Sequence, residues 1–229
     1  MRSVVNEALV QRRAAAAQRA LSLGIALMLA AVALSFNPRW VLLAYALLFV
    51  SFFVVNRGTR AAGKWLRSPR VDQMLAKALK GLHGDQRLYS YVLPADHVML
   101  SSRGLFVLLT KAQSGQISCR RDHWRRRLSL GLLIRLLSEE RLGNPSKQAQ
   151  SVTDKVRAVI KNHLPDMEVP IQPVVVFVDP NAELDILEPM VPALSLQGLK
   201  AYLRSAAQGE PMPRGTMKPL SDWLDEIAT

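Results

Sequence analysis

The chain has a single cysteine, Cys119, so no disulfide framework can be built within it. Aromatic residues are scarce, at 6%, and acids number only 18 against 30 Lys plus Arg. No HExxH, GxSxG, GxGxxG or Walker A run occurs. Zinc protease, serine hydrolase, dinucleotide-binding and P-loop readings therefore have no support. The four histidines, His83, His97, His123 and His163, are scattered without ligand spacing, so no resident metal and no cofactor is read from them. What is abundant is apolar: 49% of 229 residues, which excludes disorder and suffices for one domain of about 150 residues plus a smaller element.

Two stretches contain no ionisable side chain other than the tyrosine at position 45, Ala20 to Phe36 and Trp40 to Val55. A charge at mid-bilayer costs roughly 2.5–3.5 kcal/mol on insertion scales, so such runs suit hydrocarbon. At 1.5 Å per residue each reaches roughly 25 Å, near the lower limit for a core of about 30 Å. Asn37-Pro38-Arg39-Trp40 separates them, a turn short enough to force an antiparallel hairpin. Two buried helices of a soluble core are the plainer alternative. A signal peptide fits less well, since a second apolar run follows directly and Leu34-Ser35-Phe36 is a weak cleavage context.

The formal charge of +12 is concentrated around this hairpin. Residues 1–19 carry a net +3 and residues 57–70 a net +5, whereas the turn has only Arg39. By the positive-inside bias, both termini and the whole soluble part are expected in the cytoplasm of a multi-pass membrane protein. Membrane lipids are the first expected partner, because the 57–70 connector can lie against anionic headgroups. The expected organisation is a basic helical N-terminus over 1–19, a transmembrane hairpin over 20–56 and a basic connector over 57–70. An α/β domain over 71–207 follows, and then a tail with a short helix over 208–229.

Within the domain, Val71 to Leu82 repeats apolar residues at helical spacing. Strands are expected at Arg87–Leu93, His97–Leu100, Leu105–Leu109 and Gln116–Arg120, with a hairpin turn at Ser101–Gly104. Asn144-Pro145 is a helix start, Asn as N-cap and Pro in the first turn, and Pro165 closes that helix. Pro173 to Val178 is continuously apolar and reads as a strand covered on both faces. Ser195 caps a further helix through about Ala207, and Ser221 a terminal one. The order is αβββαβ, without the regular βα alternation of a doubly wound fold.

Several pieces, in order, resemble the nuclease-related domain (NERD) family of the PD-(D/E)XK restriction-endonuclease-like superfamily. They are Leu93-Pro94-Ala95-Asp96-His97-Val98, Gly104-Leu105-Phe106-Val107, Thr110-Lys111, Gly115-Gln116-Ile117, Trp124, Asn144-Pro145 with Gln148 and Ala149, and the strand Val174 to Val178. A membrane hairpin before such a domain is also similar to a group of bacterial membrane proteins. In active members, the resemblance implies, two carboxylates hold Mg²⁺ and a lysine stabilises developing charge during phosphodiester hydrolysis. Asp96 matches the first carboxylate and Lys111 the lysine. The second carboxylate should stand at Leu109, and the family's Gly-Glu pair is missing from the first helix, whose only acid is Asp72. The expectation is a catalytically degenerate site, a binding or scaffolding module, with Mg²⁺ relevant only if an acid such as Asp122, Glu139 or Glu140 has moved in. An active membrane-tethered nuclease and a protein-interaction module with unknown protein partners are the alternatives.

Residues 120–141 hold seven arginines against three acids. Arg120, Arg121, Arg125, Arg126 and Arg127 around Trp124 are the candidate grip for nucleic acid, with the arginines on phosphates and the indole under a base. A solvated rim or a surface facing anionic lipid are the competing readings of the same residues.

Overall fold

A computed structural model of the chain describes residues 1–82, 86–127, 142–206, 212–213 and 215–228. Two compact units separate within it. One is helical and runs from Glu7 to Arg70; the other joins Met1–Asn6 to the described residues from Val71 onward.

In the helical unit, α1 (Glu7–Ser35) and α2 (Val41–Trp65) are joined by one 3₁₀ turn at Pro38–Trp40, capped by the Asn37 side chain. The buried positions recur every seventh residue: Val10, Ala17, Gly24 and Ala31 on α1, then Ala44, Ser51 and Gly58 on α2. A seven-residue repeat keeps one seam facing the partner helix, and small residues there let the backbones approach. Gly24 meets Val55, whose backbone nitrogen lies 3.1 Å from where a Cβ would stand. Gly58 meets Leu21 in the same way. Both helices are long and apolar enough to cross a membrane, yet only 17% and 11% of their most apolar windows are buried. Leu42, Phe49 and Phe36 are among the side chains left exposed, the reverse of a soluble core helix.

The second unit has a six-stranded sheet, in the order β1-β2-β3-β4-β7-β9, and a three-stranded one, β6-β5-β8. The large sheet contains β1 (Arg2–Val5), β2 (Arg87–Ser90), β3 (His97–Ser101), β4 (Gly104–Lys111), β7 (Ile171–Phe177) and β9 (Ala193–Ser195). The small one contains β5 (Gly115–Arg120), β6 (His123–Arg126) and β8 (Ala182–Leu187). Among the described residues, four helices complete the unit: α3 (Val71–Ala78), α4 (Pro145–His163), α5 (Leu196–Ala206) and α6 (Met217–Ile227).

Alternation along β4 and β7 explains the layers. Phe106, Leu108, Val174 and Val176 pack under α3 and α5 through Leu75, Leu79, Leu199 and Leu203. Leu105 and Val107 face the other way, toward Val156 and Ile160 of α4 and Leu220 and Leu224 of α6. Val175 and Phe177 meet Ile117 of the small sheet. The apolar run through β7 is thus covered on both faces, as expected for a central strand.

The α/β class agrees with the sequence reading; three local features differ. The N-terminus expected as helix over 1–19 begins as a strand, and α1 starts only at Glu7. β1 pairs in parallel with β2 from Arg2↔Arg87 to Val5↔Ser90, and Val4 joins the α4–α6 core. β-branched Val4 and Val5 find their partner about 85 residues away, so tertiary pairing overrides local helix propensity. The fourth meander strand, β5, leaves the large sheet at Gly115 (φ +87°) and pairs in parallel with β8 instead. The short helix expected in the C-terminal tail is present as α6, but it starts at Met217 rather than at Ser221, and its Leu220 and Leu224 are fully buried.

Candidate functional site

β3 and β4 pair antiparallel, with His97 opposite Leu108, so Asp96 stands one step beyond the last pair, at the end of β4 that holds Leu109 and Lys111. Asp96 is exposed, and its carbonyl accepts from Tyr91 N–H at 2.7 Å, closing a turn in which Tyr91 takes φ +63°. Lys111 is only 5% exposed, and its Nζ donates to Oε1 of Gln148 on α4 at 2.6 Å. Leu109, between them in register with Val175, packs against the cluster of Ile117, Ala149, Val175 and Phe177. Its branch points into apolar company. Glu139 and Glu140 lie outside the described residues. Among the described residues, no group of three or more His, Cys, Asp or Glu side chains gathers where a metal could sit.

Asp122 does other work. Arg121 and Asp122 both take positive φ, 46° and 62°, the geometry of a two-residue hairpin turn between β5 and β6. From that turn the Asp122 carboxylate accepts from Trp124 Nε1 (3.2 Å), Asn144 Nδ2 (3.0 Å) and Met190 N–H (3.4 Å). Burial pushes its carboxyl up, but hydrogen bonds from Ser146, Asn144, Trp124 and Met190 outweigh this and hold it below its ordinary value. Asn144 is also the N-cap of α4, accepting from Lys147 N–H. Asp122 thereby clamps the hairpin to the start of the helix that carries Gln148.

The arginine cluster divides by strand alternation. Trp124 and Arg126 turn inward: the indole bonds Asp122 and Ser146 and lies 6.1 Å from the Phe177 ring, and Arg126 Nε donates to the Ser114 carbonyl at 2.8 Å. Arg120 and Arg121 are outward but paired. Arg120 makes a two-pronged contact with Asp185 (3.0 and 2.6 Å), which lowers the Asp185 carboxyl and raises the guanidinium. Arg121 reaches Glu188 at 3.6 Å. Arg125 is exposed on the outward face and, among the described residues, has no acid partner; Arg127, just past β6, is exposed likewise.

A family model described as the nuclease-related domain matches residues 57–178, more than half of the chain. The chain belongs to the NERD family. No curated protein and no solved structure matches it. The NERD match takes in the Asp96–Lys111 corner and the Asp122 clamp, but it stops at Val178, before β8. The strand that completes the small sheet, with the acids that pair Arg120 and Arg121, thus lies outside the matched NERD residues. Reading the sequence missed β8 and those two pairs. The signal available was Glu183-Leu184-Asp185-Ile186, a period-two alternation with acids on one face.

Proposed function

We propose that this NERD protein is a membrane-anchored binding or scaffolding module that no longer cuts phosphodiesters. The observation that carries the reading is Leu109. Mg²⁺ takes hard oxygen ligands in near-octahedral geometry, and the position two residues before Lys111 supplies a branched alkyl group packed among apolar neighbours. Asp96 with an alkyl group in the second carboxylate's place is a donor set that does not fit the ion. Lys111, directed to a neutral amide, holds the end of β4 to α4.

One observation supports anchoring with the domain on the cytoplasmic side. The α1–α2 surface is apolar and exposed, while basic residues cluster at its outer ends and the turn holds only Arg39. With Cys119 buried, cysteines introduced at Asn37 and Ser205 can report orientation. A membrane-impermeant maleimide applied to intact cells should label Asn37→Cys and spare Ser205→Cys.

The activity test uses full-length protein in detergent with Mg²⁺ or Mn²⁺ and labelled DNA or RNA. Product should not exceed that of Asp96→Ala. Cleavage that Asp96→Ala abolishes refutes the proposal and favours a nuclease with a relocated carboxylate.

A further inference from the structure

The outward face of the small sheet has no part in the Asp96–Lys111 corner. It forms a groove of about 680 Å³ floored by Gln116 and Ser118 of β5, with Arg125 and Arg127 along one side. The other side is β8, where Asp185 is neutralised by Arg120 and Glu183 is the remaining acid. Ser118 stands opposite Arg125, and Arg127 N–H bonds the Gln116 carbonyl, so each arginine has a neutral polar side chain beside it. Residues two apart on a strand are separated by roughly 6.6 Å, which sets the two guanidinium groups out as a row.

We infer that this groove binds the phosphate backbone of nucleic acid, with Arg125 and Arg127 each holding a phosphate and no base stacked. The inference rests on the reading of the protein as a binding module and names its ligand. Charge complementarity argues for the occupant: two arginine forks with no acid partner among the described residues, joined by serine and glutamine, are the donor types that contact phosphodiesters. The recess argues against a bilayer, whose phosphates lie in a plane that cannot follow a groove, whereas a polynucleotide strand can enter one. Trp124, turned inward onto Asp122 and Ser146, removes the one aromatic that the sequence offered for stacking. Duplex is therefore bound as well as single strand, and without sequence preference.

The test measures binding of the full-length protein, in nanodiscs of zwitterionic lipid with EDTA present, to duplex DNA across a salt series. Arg125→Ala/Arg127→Ala should weaken binding about tenfold or more and flatten the slope of log K against log salt by about 2, one phosphate contact per arginine. Trp124→Phe, which keeps the ring, should leave duplex and single-strand affinity unchanged. An unchanged slope in the double variant overturns the inference. So does a loss of single-strand binding in Trp124→Phe, or loss of flotation with anionic vesicles while DNA binding persists. EDTA keeps cleavage out of the measurement. Asp96-dependent cutting with Mg²⁺ would refute the non-cutting reading and leave this groove standing, and an unchanged slope would do the opposite.

Discussion

The two sheets of the domain use the same strand alternation to opposite ends. In the large sheet both faces are covered, by α3 and α5 on one side and α4 and α6 on the other, so almost every position of β3 and β4 is buried. Charge survives there chiefly at the margins, where it closes the structure. Arg87 and Arg2 both approach the Asp225 carboxylate of α6, which also accepts from Tyr89 Oη at 2.8 Å. Burial, followed by that carboxylate, pushes the Tyr89 phenol up to about 12. Among the described residues, the small sheet is covered on one face. Its inward residues, Ile117, Cys119, Leu184 and Ile186, join the core, and its outward ones remain wet and charged. On the proposed reading the two sheets divide the labour: the covered one holds the nuclease-like framework together, and the half-covered one offers chemistry to a partner.

If that division is right, the largest losses come from the covered sheet. Gly104 opens β4 at φ +131°, a region closed to most side chains, and any Cβ there collides with the Pro170 carbonyl that accepts from Leu105 N–H. Gly104→Val should cost on the order of 3–4 kcal/mol and prevent recovery of folded protein, read by detergent gel filtration and thermal melting. A folded Gly104→Val protein would break the comparison at its strongest point.

The clamp between the β5–β6 hairpin and α4 should come next. Asp122→Ala removes the carboxylate shared by Trp124, Asn144 and Met190, leaving the indole with Ser146 Oγ and the amide with the backbone carbonyl of residue 122, a loss of about 1–3 kcal/mol. Because the folded carboxyl lies below its ordinary value of 3.8, its contribution is present above that value and disappears as pH falls through the lower folded one. Melting temperature in acid should therefore decline less steeply in Asp122→Asn than in the parent chain below about pH 4. Parallel curves would show that the carboxylate charge is not what holds the hairpin to α4.

Elements whose signal is local were legible in the sequence. Asn144-Pro145 states a helix start by N-cap chemistry, and Ser195 caps α5 by accepting from Gly198 N–H. The continuous run in β7 carries its two-sided burial in its composition. What escaped depends on distant partners. Ser3-Val4-Val5 precedes an alanine-rich helix and becomes a strand only because β2 offers an edge. Arg121 to Arg127 reads as a basic stretch until the positive φ values at Arg121 and Asp122 fold it back. At the candidate corner, the identities of Asp96, Leu109 and Lys111 were readable, whereas Gln148 as the lysine's partner required the packing of α4 on β4. The same holds for the arginines: composition sums their charge, and only alternation separates inward Arg126 from outward Arg125.

The smallest effect on stability, and the sharpest on the comparison, belongs to the Arg120–Asp185 pair. Both side chains are exposed, so removing either should leave the melting temperature within about 2 °C. Binding should respond differently. Arg120→Ala frees the Asp185 carboxylate beside the groove and adds an uncompensated negative charge within a Debye length of the arginine row, weakening DNA binding by about threefold to tenfold. Asp185→Ala leaves Arg120 unpaired and should strengthen it by a similar factor. Combining the two should return affinity to within about twofold of the parent, since the pair contributes no net charge. If Arg120→Ala instead behaves like Arg125→Ala, and Asp185→Ala fails to offset it, then Arg120 touches phosphate itself. The neutralised wall would then be part of the grip, and the division between paired and open arginines on this face would fall.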